Sequence, residues 1–215
     1  MFDISQGELQ NFSDVAPLVS EAIITNLKAA GFAYPDMFEE FLRAQLQNCA
    51  GRQALVLPGD TTLERTLYLD YDQSWISDNN IAAVICLGDL SVVGDIVNNN
   101  LNCGPLLFVG GSLRLGNLIK GGAYFLITNH LVADNLVIVE YNDGVLRVGG
   151  DLTAELFINL DQDALVGGAT NARLISQDEE LLSDVFVAEV FDQDPDLPSA
   201  DKIMERHRAG LNLLL

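Results

Sequence analysis

Hydrophobic positions along the chain change period twice, which divides it into three zones. Up to about Gly51 the period is helical. Val15, Leu18, Val19, Ala22, Ile23 and Leu27 recur at three- and four-residue steps, on one face of a predicted helix. Asp14 suits its N-cap and Gly31 its stop. A second helix is expected to open at Pro35-Asp36, with Phe38, Phe41, Leu42, Leu46 and Cys49 on its apolar stripe and Gly51 at its end. From Gln53 to Gln177 the period is two, and short apolar runs are broken by Gly-Asp, Gly-Gly or Asn-rich pairs. Beyond Asp178, Ser183 to Phe191 is expected as a strand or an end-covering segment. A loop from Asp192 to Pro198 follows. Pro198-Ser199 then opens a last helix, with Ile203, Met204 and His207 on one side and Gly210 interrupting it.

The breaks of the middle zone recur as a repeat. Cys86-Leu87-Gly88-Asp89-Leu90-Ser91-Val92 aligns with Val109-Gly110-Gly111-Ser112-Leu113-Arg114-Leu115. Two further stretches match, Ile127-Thr128-Asn129-His130-Leu131-Val132-Ala133 and Val148-Gly149-Gly150-Asp151-Leu152-Thr153-Ala154. The key leucines, Leu90, Leu113, Leu131 and Leu152, are 23, 18 and 21 residues apart. A third apolar position follows in each copy: Ile96, Leu118, Leu136, and Leu156 or Phe157. Weaker copies flank the set at Val56 to Thr61 and Val166 to Thr170.

Alternation over three residues marks a short strand with one buried face. The Gly, Asp and Asn breaks are expected to supply the positive φ angles of sharp corners. A corner pattern returning about every twenty residues brings the chain back over itself, so that equivalent leucines stack inside a coil. The predicted fold is therefore mainly β: a right-handed parallel β-helix (solenoid) of about six coils, with N-terminal and C-terminal helical end pieces. The expected divisions are 1–52 as an N-terminal helical cap, 53–177 as the repeat domain, and 178–215 as an acidic segment and helix. An open solenoid exposes two sheet ends, and the end pieces are expected to cover them. An antiparallel sandwich or barrel also alternates between Gly-rich turns and remains the alternative. A leucine-rich-repeat horseshoe is disfavoured, because its consensus is absent and no helix fits between the strands.

Composition adds charge to this picture. The 215 residues hold 11 Lys+Arg against 31 Asp+Glu, a formal net charge of −20. Such a chain lacks the basic patch that direct nucleic-acid binding needs, and anionic membranes repel it for the same reason. No apolar run reaches the length of a membrane helix. The acidic opening residues read as no secretory signal, and three cysteines without zinc spacing suit a reducing compartment. The expected location is the cytoplasm.

Candidate chemistry is sparse. Asp161-Gln162-Asp163 is the closest carboxylate pair in the repeats and has no basic partner in the sequence, so it reads as a solvated corner. His130 and His207 cannot form a three-histidine site within one chain. His130 falls on the corner position of Asp89, Ser112 and Asp151 and reads as a corner residue bonded locally. Asp192, Asp194 and Asp196 have the spacing of a calcium loop, but Leu197 and Ile203 stand where glycine and glutamate are required. Asn98-Asn99-Asn100 with Asn102 reads as a loop or part of an amide ladder. No catalytic residue, cofactor site or metal site is expected. The clearest surface feature is acidic: nine carboxylates and no Lys or Arg lie between Leu174 and Asp201. Asp178, Glu179, Glu180, Asp184, Glu189, Asp192, Asp194 and Asp196 form either a solubilising face or a docking surface for a basic protein.

The corners Gly88-Asp89-Leu90, Gly94-Asp95-Ile96 and Gly150-Asp151-Leu152 give the block from Val84 to Ile175 its likeness to a known family. It resembles the bacterial polymer-forming cytoskeletal, or bactofilin-like, β-solenoids. The resemblance implies a right-handed β-helix without catalysis or cofactor that assembles through its coil ends. This chain departs from that family in the long segments on either side of its repeats, which oppose filament growth if they cover the ends. The expected function is a non-enzymatic scaffold or protein-interaction module, with a second copy of itself as partner. One alternative is an acidic inhibitor or immunity-type protein that binds a basic partner or mimics DNA. A carbohydrate-active enzyme is the lesser alternative, since its acid/base constellation is missing.

Overall fold

The computed structural model describes residues 4–29, 49, 51–140, 143–177, 181–192, 194 and 196–215. It opens with a 3-10 turn (Ile4–Gln6), strand β1 (Glu8–Asn11) and helix α1 (Phe12–Ala29). Four turns with three separate strands each follow. They are β2 (Gln53–Leu57), β3 (Thr61–Leu63) and β4 (Leu67–Tyr68); then, after a short helix α2 (Ser74–Ser77), β5 (Ile81–Cys86), β6 (Leu90–Val92) and β7 (Ile96–Asn98); then β8 (Leu106–Val109), β9 (Leu113–Leu115) and β10 (Leu118–Lys120); then β11 (Tyr124–Ile127), β12 (Leu131–Ala133) and β13 (Leu136–Glu140). Above them the second and third legs fuse: β14 (Val145–Val148) leads into the long β15 (Leu152–Leu160), and β16 (Asp163–Val166) into β17 (Thr170–Ser176). The chain ends in two 3-10 turns, Leu182–Asp184 and Ala188–Val190, and helix α3 (Ala200–Arg208).

The result is a parallel β-solenoid of about four three-stranded turns, with the two fused pairs above. The first legs stack as β2-β5-β8-β11-β14-β16, with β1 added antiparallel below β2. The second legs stack as β3-β6-β9-β12-β15, and the third as β4-β7-β10-β13-β15, with β17 over β15. The leucine repeat is the inner column of the second leg, where Leu90, Leu113, Leu131 and Leu152 pair in register. Thr61 and Thr170, from the two weaker copies, stand below and above it. The third apolar column is Leu67, Ile96, Leu118, Val137, Phe157 and Leu174. Val137 therefore takes the place expected of Leu136. Leu136 instead faces outward into the cluster under the C-terminal segment. Between register partners this corner holds three residues, Asp134 to Leu136, against two, Gly116-Asn117, in the turn below, and a one-residue shift turns a side chain to the other face.

Burial tracks the pattern leg by leg. First-leg strands such as β5 and β8 are buried along their whole length, whereas β6 and β9 are buried only at alternate positions. Continuous apolar runs mark a parallel strand covered on both faces, and alternation marks one with a wet face. The second leg is that wet side, and Thr62, Ser91, Arg114, Val132, Thr153 and Asn171 form its outer column.

The corner glycines do a different job from the one expected. Gly88, Gly111, Gly150 and Gly168 have no positive φ; the expected positive angles occur instead at Gly94 (123°), Asn80 (50°) and Asp161 (61°). Those four glycines are required by close approach. A Cβ at Gly88, Gly111 or Gly168 would run into the carboxylate of Asp60, Asp89 or Asp151 on the turn beneath, and one at Gly150 would lie 2.7 Å from His130 Nδ1. At Gly59, in the first turn, a Cβ would meet nothing. Asn129 occupies this position above Ser112, whose side chain is shorter than aspartate.

Helix α1 and the C-terminal segment lie against the sides of the column, which corrects the expectation that these pieces cover its ends; β1 alone, among the described flanking residues, pairs under an end, beneath β2. Helix α1 begins at Phe12, ahead of the expected N-cap Asp14, and its Phe12, Val15 and Val19 pack on the outward face of the first leg with Ala54, Val56, Ala83 and Ile85. The second helix expected from Pro35 lies outside the described residues. Leu182, Phe186, Val190, Ile203 and Met204 pack on the outward face of the third leg, over Val97, Ile119, Ile138, Ile158 and Ile175. Arg208 clamps this segment by donating to Asp95 at 2.7 Å. The expected strand of Ser183 to Phe191 is replaced by the two 3-10 turns. Parallel sheets need both faces covered, and these two apolar outer faces are where the flanking segments bury most.

Candidate functional site

The repeated corner residues build a hydrogen-bonded ladder up the column. Asp60 Oδ1 accepts the N–H of Asp89 at 2.9 Å, and Asp89 Oδ1 accepts that of Ser112 at 2.7 Å. Ser112 Oγ accepts from His130 N at 3.5 Å, His130 Nδ1 from Asp151 N at 3.0 Å, and Asp151 Oδ1 from Ala169 N at 2.7 Å. Each corner therefore needs a short acceptor side chain, which is why the four repeats carry Asp, Ser, His and Asp there. His130 is a ladder member, with Nδ1 as its acceptor nitrogen. The ladder stops at Ala169, which has no side-chain acceptor.

The third corner holds a buried polar network that sequence reading missed. Asn98 donates to Asp70 Oδ1 (2.8 Å) and to the carbonyls of Leu69 and Cys103, and accepts from Ala123 N (3.0 Å). It is a strand end, not a rung of an amide ladder. Lys120 is fully buried; it donates to Gln162 Oε1 (2.8 Å) and the Gly121 carbonyl (3.0 Å), with Nζ 5.6 Å from the centre of the Phe125 ring. Burial, followed by the positive charge of Arg147, holds its pKa well below the usual lysine value, and Asp163 opposes them. The Lys120 side chain is inaccessible to solvent, and Gly144 packs so close that a Cβ there would lie 2.6 Å from its Nζ. Its only sequence signal is a lysine at a position that alternation turns inward. Asp163 forms an ion pair with Arg147, so the Asp161-Gln162-Asp163 corner is structural in two of its three residues.

The acidic surface is less uniform than the sequence run. Asp178, Glu179 and Glu180 lie outside the described residues. Asp184 is exposed. Glu189 lies 3.9 Å from Arg206 Nη1, and Asp192 pairs with Lys202 at 2.7 Å. Asp194 accepts the N–H of Asp196 at 2.9 Å inside its loop, and both are exposed. The cations that fold back come from α3, immediately beyond the run as counted; their spacing on a helix was the available signal. On the inner side of this segment Glu140 faces Asp201, and burial followed by that negative charge raises its pKa. Burial also raises the Cys49 and Cys86 thiols. Among the described residues no cluster of three or more His, Cys, Asp or Glu could hold a metal ion, and no helix is long and apolar enough to cross a membrane.

The last turn is the part of the column left open. Among the described residues no strand pairs with the outer edge of β16 or β17. Leu174, in the column of buried Phe157 and Leu118, is 39% exposed. Leu165, above Arg147 on the first leg, is 38% exposed. Ala164 and Val166 are only half buried, although their counterparts Leu146 and Val148 one turn below are inaccessible. The end thus presents free backbone groups beside uncovered core side chains. A cleft of about 730 Å³ at the opposite end is lined by Arg65, Tyr68, Gln73 and Trp75. Comparison with protein-family models, curated proteins and solved structures finds no match for this chain.

Proposed function

We propose that this chain is a non-enzymatic β-solenoid scaffold that works by protein–protein contact, self-association through a coil end being its principal mode. The open last turn carries this reading. A strand edge with unpaired N–H and C=O groups and uncovered apolar side chains is a template for another chain. The repeat residues support it as well. Asp89, Ser112, His130 and Asp151 each accept a backbone N–H in the corner ladder, and the Lys120 amine is buried, so these polar side chains have a role in holding the turns together. Kinship with the bactofilin-like solenoids and a cytoplasmic location belong to the same proposal.

A second reading is favoured by one observation, the net charge of −20. In it, the exposed Asp184, Asp194 and Asp196 draw in a basic protein in the manner of an inhibitor or DNA mimic. Sedimentation velocity across a wide protein range, at low and high salt, separates the two. Self-association of a −20 chain strengthens when salt screens the repulsion, whereas attraction to a basic partner weakens. A sharp monomer under every condition would remove the first reading. A monomer that binds a basic protein only at low salt would install the second.

A further inference from the structure

The two ends of the column are not equivalent, and the difference selects a mode of assembly. At the lower end β1 lies antiparallel under β2. Nothing described lies under β3 and β4, which are only three and two residues long. The first leg therefore reaches one strand lower than the other two. A copy arriving from below meets β1 before it can pair with β3 or β4. At the upper end β16 and β17, of four and seven residues, finish together in the same turn. That rim offers a continuous edge.

The rim also lacks the devices that protect edges. Along β16 and β17 the charged residues are Asp163, at the start of β16 and paired with Arg147, and Arg173, in a chain of net charge −20. Exposed edges are ordinarily blunted by charge, proline or shortness. Among the described residues, Asp161 and Arg173, of opposite sign on this last turn, have no hydrogen-bond or ion-pair partner. One such charge of each sign on the same turn lets a self-complementary contact pair them across a two-fold axis. The corner ladder points the same way. Continuation by a parallel copy requires a side-chain acceptor at the last corner for the next backbone N–H, and Ala169 supplies none. A two-fold pairing of rims makes no such demand.

We infer that the partner of the open rim is the same rim of a second copy, giving a closed two-fold dimer that does not grow into a filament. This rests on the scaffold reading above. With four residues in β16 and seven in β17, the rim strands fall short of the roughly 20–30 residues a side of a standard interface, so the dimer forms at micromolar concentrations or above.

The test uses the full chain. Sedimentation velocity should show a monomer–dimer equilibrium that saturates at the dimer and strengthens with salt. Hydrogen exchange at increasing concentration should slow at residues 163–176 and stay constant at 61–68. Leu174→Lys and Leu165→Lys, both at exposed positions, should each weaken the dimer about tenfold or more while circular dichroism stays unchanged. Growth beyond the dimer overturns the closed pairing but leaves self-association standing. New protection at 61–68 in place of 163–176 overturns the choice of end. A monomer at all concentrations overturns this inference and the scaffold reading together.

Discussion

The first and last turns are built from the same corner-and-strand unit and differ in what lies beyond them. Beneath the first turn Gly59 has empty space where inner glycines have a carboxylate, and β1 closes the first-leg edge. Above the last turn the edge is long, carries only Asp163 and Arg173 as charged strand residues, and shows Leu174. The difference teaches that a repeat position has no fixed requirement. Its tolerance depends on whether a neighbouring turn occupies the space next to it.

The largest contrast should come from alanine at equivalent corners. Gly111→Ala drives a methyl group into the Asp89 carboxylate and the backbone of Gly88, and should cost about 3 kcal/mol by urea unfolding. Gly59→Ala should change stability by less than about 0.5 kcal/mol. Equal costs would mean that the glycines are needed for backbone conformation after all.

Next come the ladder aspartates. Asp89→Ala leaves the Ser112 N–H unpaired between two turns and should cost about 1–2 kcal/mol. Asp151→Ala frees Ala169 N on the exposed last turn, where water replaces the acceptor, and should cost about half as much. A larger loss at Asp151 would show the last turn to be better covered than its strand edge indicates.

Lys120 ties the last turn to the middle of the column through Gln162. Its native pKa lies below its ordinary value of 10.5, so between those two values the unfolded chain binds the extra proton. Its contribution to stability therefore rises as pH rises through that window, by at most about 1.4 kcal/mol per pH unit. Lys120→Met should flatten the dependence of the urea midpoint on pH relative to the parent. An unchanged slope would mean that the amine stays charged in its pocket.

A comparably modest effect is expected at the flank. Arg208→Ala removes the clamp on Asp95 and should cost about 1 kcal/mol, since Asp95 is nearly buried and loses a charged donor. Hydrogen exchange should quicken in α3 and leave β5 and β8 unaffected. Uniform quickening would show that the segment unfolds only together with the column.

Much of the column was legible because its causes are local. Leu90, Leu113, Leu131 and Leu152 were found as a stack from spacing alone, and the register bears them out. Alternation around a strand has a period of two wherever the strand goes. The error at Leu136 arose where one extra corner residue reversed that alternation, a change invisible until the pairing with β10 is known. The glycines were identified at the right places for the wrong reason, because the atom that excludes a Cβ belongs to a residue about twenty positions earlier. The acidic run looked uncompensated because Lys202 and Arg206 come after it in sequence and beside it in space.

By itself the amino-acid sequence determined the two-residue period, the corner positions, the repeat length and the net charge of −20. These depend on neighbours along the chain or on composition. Only the tertiary structure decided that α1 and the C-terminal segment lie on the flanks, that Lys120 is sealed inside, and that the last turn is the open one. An amphipathic segment carries the same apolar stripe whether it covers an end or a side. Which surface it buries is settled by the competition between distant faces for cover, and that competition exists only once the column has formed.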